Sequence, residues 1–166
     1  MADNRQPFIE QMHKFAQQND RIKLIIGDVG FNFMEPFIRK YPSNFLNAGA
    51  AEANMMGVAA GLTRVGWQPF VYTMRNFIAF RPYEHVRNDI AYANANVKLF
   101  GVSGSAAYKF LGYSHNVLQK EGEEDEDIAM LKRLPNMNVY HGLSAEQFLE
   151  KLLFEYERIG PAYFVI

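Results

Sequence analysis

The sequence predicts an α/β fold: a three-layer α/β/α sandwich around a mostly parallel, six-stranded sheet, with residues 1–166 forming a single domain. Three observations carry this expectation. Short apolar runs alternate with segments of helical periodicity along the whole chain, the pattern of strand–helix–strand units whose sheet is covered on both faces. Crossovers between parallel strands are right-handed, which distributes the helices over two outer layers. Finally, 166 residues, 49% of them apolar, are enough to bury a substantial core.

The elements follow in order. Phe8, Met12 and Phe15 recur at helical intervals and make 5–19 an amphipathic helix. "IKLIIG" at 22–27 is a short apolar run closed by glycine, the mark of a buried strand. "NFLNA" at 44–48 is a second strand, followed by a small-residue helix over about 52–65. "QPFVYT" (68–73) reads as a strand, 83–94 as a helix, and "VKLFGVSG" (97–104) as a fourth strand with glycine at its exit. After a long polar stretch come a helix at 127–134, a strand at 136–141, a helix at 144–159 and a closing strand at 162–166. Ser144 and Gln147 have the spacing of a capping box.

Composition narrows the function classes. A net charge of −1 and a pI near 6.4 offer no basic field to nucleic acid or anionic lipid. There is no cysteine, so disulfides and thiolate metal sites are excluded. No apolar run approaches the ~20 residues of a membrane span, and "MADNRQPF" lacks the basic-then-apolar layout of a signal peptide. The expectation is a cytoplasmic protein with no nucleic-acid or membrane partner. The acid run "KEGEEDED" (120–127) reads as a solvated loop, without the ligand spacing of a calcium loop.

In a parallel sheet, ligands bind at the carboxyl ends of the strands. The loops after Gly27, Ala48, Thr73, Gly101 and His141 are therefore the places to search. One of them opens "NAGAAEANMMGVAAGL" (47–62), where Glu52 and Asn54 are the polar residues after Asn47. Taken alone, Glu52 is a first-turn acid that complements the helix dipole, and the small residues allow close helix packing.

The surrounding residues point further. "FLNAGAAEANMMGVAAGLTRVGWQPFVYTM" resembles the pyrimidine-binding domain of the transketolase family, with its strand, Gly-x-Ala-Glu, small-residue helix, Ala-Gly-Leu and Pro-Phe strand. "RPYEHVRNDIA", "SHN" with "EDIAMLKRLPNMNVY", "IIGDVG" and "GPAYFVI" resemble further segments of that family in the same order, covering nearly the whole chain. The resemblance implies thiamine diphosphate as cofactor, with Glu52 hydrogen-bonded to its aminopyrimidine ring. A desolvated carboxyl that shares a proton with a ring nitrogen favours the imino tautomer, which then takes the proton from the thiazolium carbon.

Other roles follow from the same resemblance. Phe77 or Phe80 in "RNFIAFRPY" stacks on the pyrimidine, Asp28 lies near the cofactor, and His115 contacts a small-molecule substrate. On its own, Asp28 also reads as a turn residue before Gly30, and either phenylalanine as a core aromatic. His13, His85 and His141 read as ordinary solvated histidines. Two departures stand out: Leu111 occupies the place of an acid that reads a substrate hydroxyl in transketolases, and the segment after His115 is longer.

The chain lacks the Gly-Asp-Gly…Asn pattern that holds the diphosphate through a divalent ion; "GDVG" is only a partial echo. No metal ligand is thus expected here, and magnesium is expected on a separate diphosphate-binding subunit. The start and the completed last strand read as a whole subunit, so the expected assembly is a heterotetramer of two small and two larger subunits. Met55, Met56, Val58 and Leu62 are expected to form an exposed apolar strip covered by the partner. The competing enzyme reading is a subunit of a split 2-oxo acid decarboxylase or dehydrogenase. The non-enzymatic one is a scaffold that retains the fold.

Overall fold

The computed structural model describes residues 3–103, 106–118 and 121–166. Strands β1 (Ile22–Ile26), β2 (Phe45–Asn47), β3 (Gln68–Met74), β4 (Lys98–Val102), β5 (Asn138–Tyr140) and β6 (Ala162–Val165) form one sheet, ordered β2-β1-β3-β4-β6-β5. Each neighbouring pair runs parallel, so the sheet is parallel throughout. Gly104, at the expected exit of the fourth strand, and Lys120, at the head of the acid run, lie outside the described residues.

Side chains alternate along each strand and divide the core between two helical layers. On one face Leu24, Phe70, Tyr72, Phe100 and Phe164 meet helices α1 (Arg5–Gln18), α2 (Glu35–Lys40) and α7 (Ala145–Glu157). This side is rich in aromatics: Phe100 and Phe164 stack with centroids 5.1 Å apart and planes 7° from parallel. On the other face Ile25, Val71, Leu99, Tyr163 and Val165 pack on α3 (Glu52–Arg64), α4 (Arg75–Ala79), α5 (Tyr83–His85) and α6 (Glu126–Leu131). The capping box at α7 forms as expected, with the Gln147 backbone N–H donating to Ser144 Oγ and the Gln147 side chain accepting from the Ser144 N–H.

Several details depart from the sequence reading. The expected helix at 83–94 is α5 continued by a π-helical stretch, Val86–Tyr92, whose wider turn buries Val86, Ile90 and Ala91 together. The polar stretch after β4 holds a 3₁₀ segment, Ala106–Ser114, broken at Gly112, where φ is +59°. Met55 and Met56 are fully buried in this chain's own core, and Val58 and Leu62 pack against it. The expected exposed strip is therefore absent. The outer face of α3 carries Ala53, Asn54, Gly57 and Gly61 instead, because a helix lying on a sheet turns its large apolar side chains into that contact. The end of the acid run is not a solvated loop either: Asp127 is fully buried.

No described helix is long and apolar enough to cross a membrane. The chain leaves β1 towards β2 on one side, while β3 pairs on the other. This reversal opens a crevice beyond the carboxyl ends of β1 and β3, and the loops bearing the candidate residues converge there.

Candidate active site

The site is assembled from the loops that follow the first four strands. After β2, Asn47 Oδ1 accepts from the Gly49 N–H at 2.9 Å, and Gly49 sits at φ +71°, where a side chain would be strained. This tight turn delivers Glu52 as the first residue of α3 with no side-chain cap before it. Glu52 is 4% exposed, so its carboxylate is almost desolvated. Arg81 Nη1 donates to Glu52 Oε1 at 2.9 Å, and the Arg81 side chain is itself 45% exposed.

Arg81 also sits over an aromatic ring: its guanidinium carbon is 3.6 Å from the Phe77 centroid. Phe77 is on α4, the helix launched by β3, and is 7% exposed. The His115 ring meets the Phe77 ring edge-on at 5.1 Å, and Tyr108 stacks on His115 from another side, 6.1 Å away and 8° from parallel. Phe80, at the end of α4, is 37% exposed. The winding of α4 turns Phe77, not Phe80, towards Glu52 and His115.

Hydrogen bonds assign the His115 tautomer. Ser114 Oγ donates to the Leu111 carbonyl at 2.7 Å and lies 2.8 Å from His115 Nδ1. A hydroxyl has one proton to give, so Nδ1–H is the donor to Ser114 Oγ. Nε2 is then the nitrogen with a free lone pair when the ring is neutral.

Asp28 enters from β1. Its N–H donates to Asn47 Oδ1 at 3.2 Å, and Asn47 Nδ2 donates to its carboxylate at 3.1 Å. Its φ of +54° agrees with the turn reading. Asp28 lines a cleft of about 240 Å³ with Gly30, Tyr72, Val102 and Tyr108. Tyr108 lines that cleft and stacks on His115, which in turn meets Phe77. Ring contacts and the Arg81 bridge thus link His115, Phe77 and Glu52, Asp28 lies on the cleft that Tyr108 also lines, and Phe80 is 37% exposed.

A buried network braces the floor. Arg75 Nε and Nη2 donate to the Asp127 carboxylate at 2.8 and 2.5 Å, and Arg75 also pairs with Asp125 at 2.7 Å. Tyr163 Oη donates to Asp127 Oδ2 at 2.6 Å. Burial alone would weaken the charge on Arg75, but hydrogen bonds and charge from Asp127 and Asp125 more than offset it and raise its pKa. Next along α4, Asn76 Nδ2 donates to the carbonyls of Tyr113 and Asn116, pinning the loop that carries His115.

Sequence reasoning missed Arg81, Arg75, Asn76 and Tyr108. Arg81 and Arg75 stand in or beside the segments that carry the family resemblance, but nothing local reveals their partners. Of the remaining histidines, His85 and His141 keep exposed side chains as expected, His85 pairing with Asp89 at 2.8 Å, while His13 packs on Phe37. Among the described residues, no cluster of His, Asp or Glu has the arrangement of a metal site.

The chain is thus a parallel α/β domain with a buried glutamate at the head of a helix, joined through Arg81 to an aromatic face. The chain belongs to the family described as the transketolase pyrimidine-binding domain, which matches residues 1–166. It is 35% identical over 170 aligned residues to one subunit of the apulose-4-phosphate transketolase of Phocaeicola vulgatus, covering 98% of this chain and 52% of that protein. It is 29% identical to the 6-deoxy-6-sulfo-D-fructose transketolase subunit SqwH of Clostridium sp. (strain MSTE9), covering 96% of this chain and 48% of that one. Among solved structures it superposes on a split-gene transketolase described as an inactive beta4 tetramer, with a TM-score of 0.81 and 32% identity over 98% of this chain and 50% of that one. The chain spans about half the length of these relatives.

Proposed function

We propose that this chain forms the pyrimidine-binding part of a thiamine diphosphate-dependent, transketolase-like transferase, and that a diphosphate-binding subunit completes the site and holds its magnesium. The observation that carries this reading is the pairing of the desolvated Glu52 carboxylate with the face of Phe77. The gap between them already accepts a planar group that donates N–H to Glu52 while stacking on the ring, as the Arg81 guanidinium does at 2.9 and 3.6 Å. An aminopyrimidine is likewise planar, and its ring nitrogen offers the same N–H once it takes the proton shared with Glu52, so the residues fit the cofactor. The relatives named as transketolase subunits support transfer over decarboxylation.

When bound, thiamine diphosphate supplies a carbon nucleophile able to cleave and re-form a carbon–carbon bond next to a carbonyl. The chain's own residues then have separable tasks. Glu52 holds a proton at its carboxyl, shared with the ring nitrogen, in a pocket that excludes water. Phe77 fixes the plane of the ring. His115 Nε2 holds or accepts a proton at a substrate oxygen, and Asp28 bounds the cleft on the β1 side. The assembly reading remains a heterotetramer of two such chains with two larger subunits, arranged about a two-fold axis.

The test is Glu52→Gln in the complex with its diphosphate-binding subunit. Volume is conserved, so folding and assembly persist, while turnover falls by about 10²–10⁴-fold or more because the amide cannot share the proton. Retention of wild-type turnover would reduce Glu52 to a first-turn acid and remove the basis of the reading.

A further inference from the structure

The two contacts that identify the pyrimidine seat are both made by one residue of this chain. The Arg81 guanidinium donates to Glu52 Oε1 at 2.9 Å and covers the Phe77 face at 3.6 Å. A guanidinium is planar, cationic and rich in N–H donors, so it satisfies a buried carboxylate and a ring face together. Resting on the reading above, we infer that Arg81 is a built-in plug of the seat, a stand-in that must leave before a pyrimidine ring can enter.

The two charges explain why the seat is filled. Glu52 is 4% exposed, and a desolvated carboxylate without a partner is costly. Before a ligand arrives, Arg81 supplies the missing counter-charge and keeps water from the Phe77 face. The same geometry makes the plug removable. Arg81 is 45% exposed at its side chain and stands just past α4, before the turn at Pro82 that opens α5. Its guanidinium can swing into solvent by side-chain rotation alone, leaving α4 and the Arg75–Asp127 brace in place.

Plugging lowers the apparent affinity for the ring by the fraction of molecules whose seat is open. Because Arg81 is 45% exposed, salt screens its pair with the buried Glu52 in part, and that penalty weakens modestly as ionic strength rises. Lysine lacks the planar fork, so Arg81→Lys keeps the charge but stacks poorly on Phe77.

The experiment measures binding of thiamine diphosphate with Mg²⁺ by calorimetry and by rapid-mixing kinetics. It uses the complex of this chain with its diphosphate-binding subunit, carrying wild type, Arg81→Ala or Arg81→Lys. The expected result is about tenfold tighter binding by Arg81→Ala, through a faster association rate. Arg81→Lys falls between the two, and the difference shrinks towards ~1 M salt. Equal or weaker binding by Arg81→Ala overturns the plug and makes Arg81 a spectator or a direct contact to the bound ring. Failure of all three complexes to bind overturns the cofactor reading itself, an outcome distinct from the first. Arg81→Lys, the milder change, decides the matter if Arg81→Ala does not fold.

Discussion

Arg75, at the start of α4, and Asp127, near the start of α6, are 52 residues apart in sequence and form a two-point ion pair in the core, with side chains 4% and 0% exposed. Tyr163 from β6 closes the group through its hydroxyl. The pair fixes α4, and with it Phe77 and Asn76, against the rest of the sheet. Removing one partner leaves the other charged and buried. Asp127→Ala is expected to destabilise the chain by about 3–5 kcal/mol in urea unfolding. Asp125→Ala is expected to cost far less, since Asp125 is 17% exposed and secondary to Asp127. Equal costs for the two would show that the burial of Asp127 does not govern the network.

At the opposite end of the sheet, Lys98 is fully buried and donates to Glu155 at 3.3 Å and to the carbonyls of Arg158 and Gly160 at 3.0 and 2.5 Å. Burial, only partly opposed by Glu155, pushes its pKa down to about 8. In the unfolded chain the lysine stays protonated to its ordinary value of 10.5. Between those values the unfolded state binds more protons, so stability rises with pH, by at most about 1.4 kcal/mol per pH unit. Above that window Tyr72 and Tyr140, both pushed up to about 12 by burial, act in the other direction. Urea unfolding between pH 7 and 10 is expected to show the rise in wild type and a flatter profile in Lys98→Met; matching slopes would refute the assignment.

His115→Asn keeps an N–H donor near Ser114 Oγ but removes Nε2. The complex is expected to retain its cofactor and lose about 10²–10⁴-fold in turnover. Cofactor retention after gel filtration and kcat, measured on the same sample, separate a substrate role from a structural one. Unchanged kcat would leave His115 as a packing partner of Phe77.

Met56→Asp places a charge at a fully buried position facing the sheet. The expected outcome is loss of the folded chain, with destabilisation of about 4 kcal/mol or more, visible as a lost cooperative thermal transition. A folded variant that only fails to assemble would contradict the core position. An interface probe belongs instead on the outer face of α3, at Asn54 or Gly57.

The six strands, their alternation with helices and the start of α7 were legible in the amino-acid order alone. They follow from local periodicity and from a cap made by residues three apart. Glu52 was legible too, though through a family pattern; the residue's own chemistry described a helix-dipole acid equally well. The direction in which α3 faces was settled by packing, which buried Met55 and Met56 because the sheet offers the larger apolar contact. The turn of α4 likewise set Phe77 under Arg81 and left Phe80 37% exposed. The pairing of Arg81 with Glu52, and of Arg75 with the end of an acid run, joins residues far apart in sequence. Periodicity reports the faces of single elements. Which charge meets which depends on how the loops at one end of the sheet converge, and no local spacing encodes that.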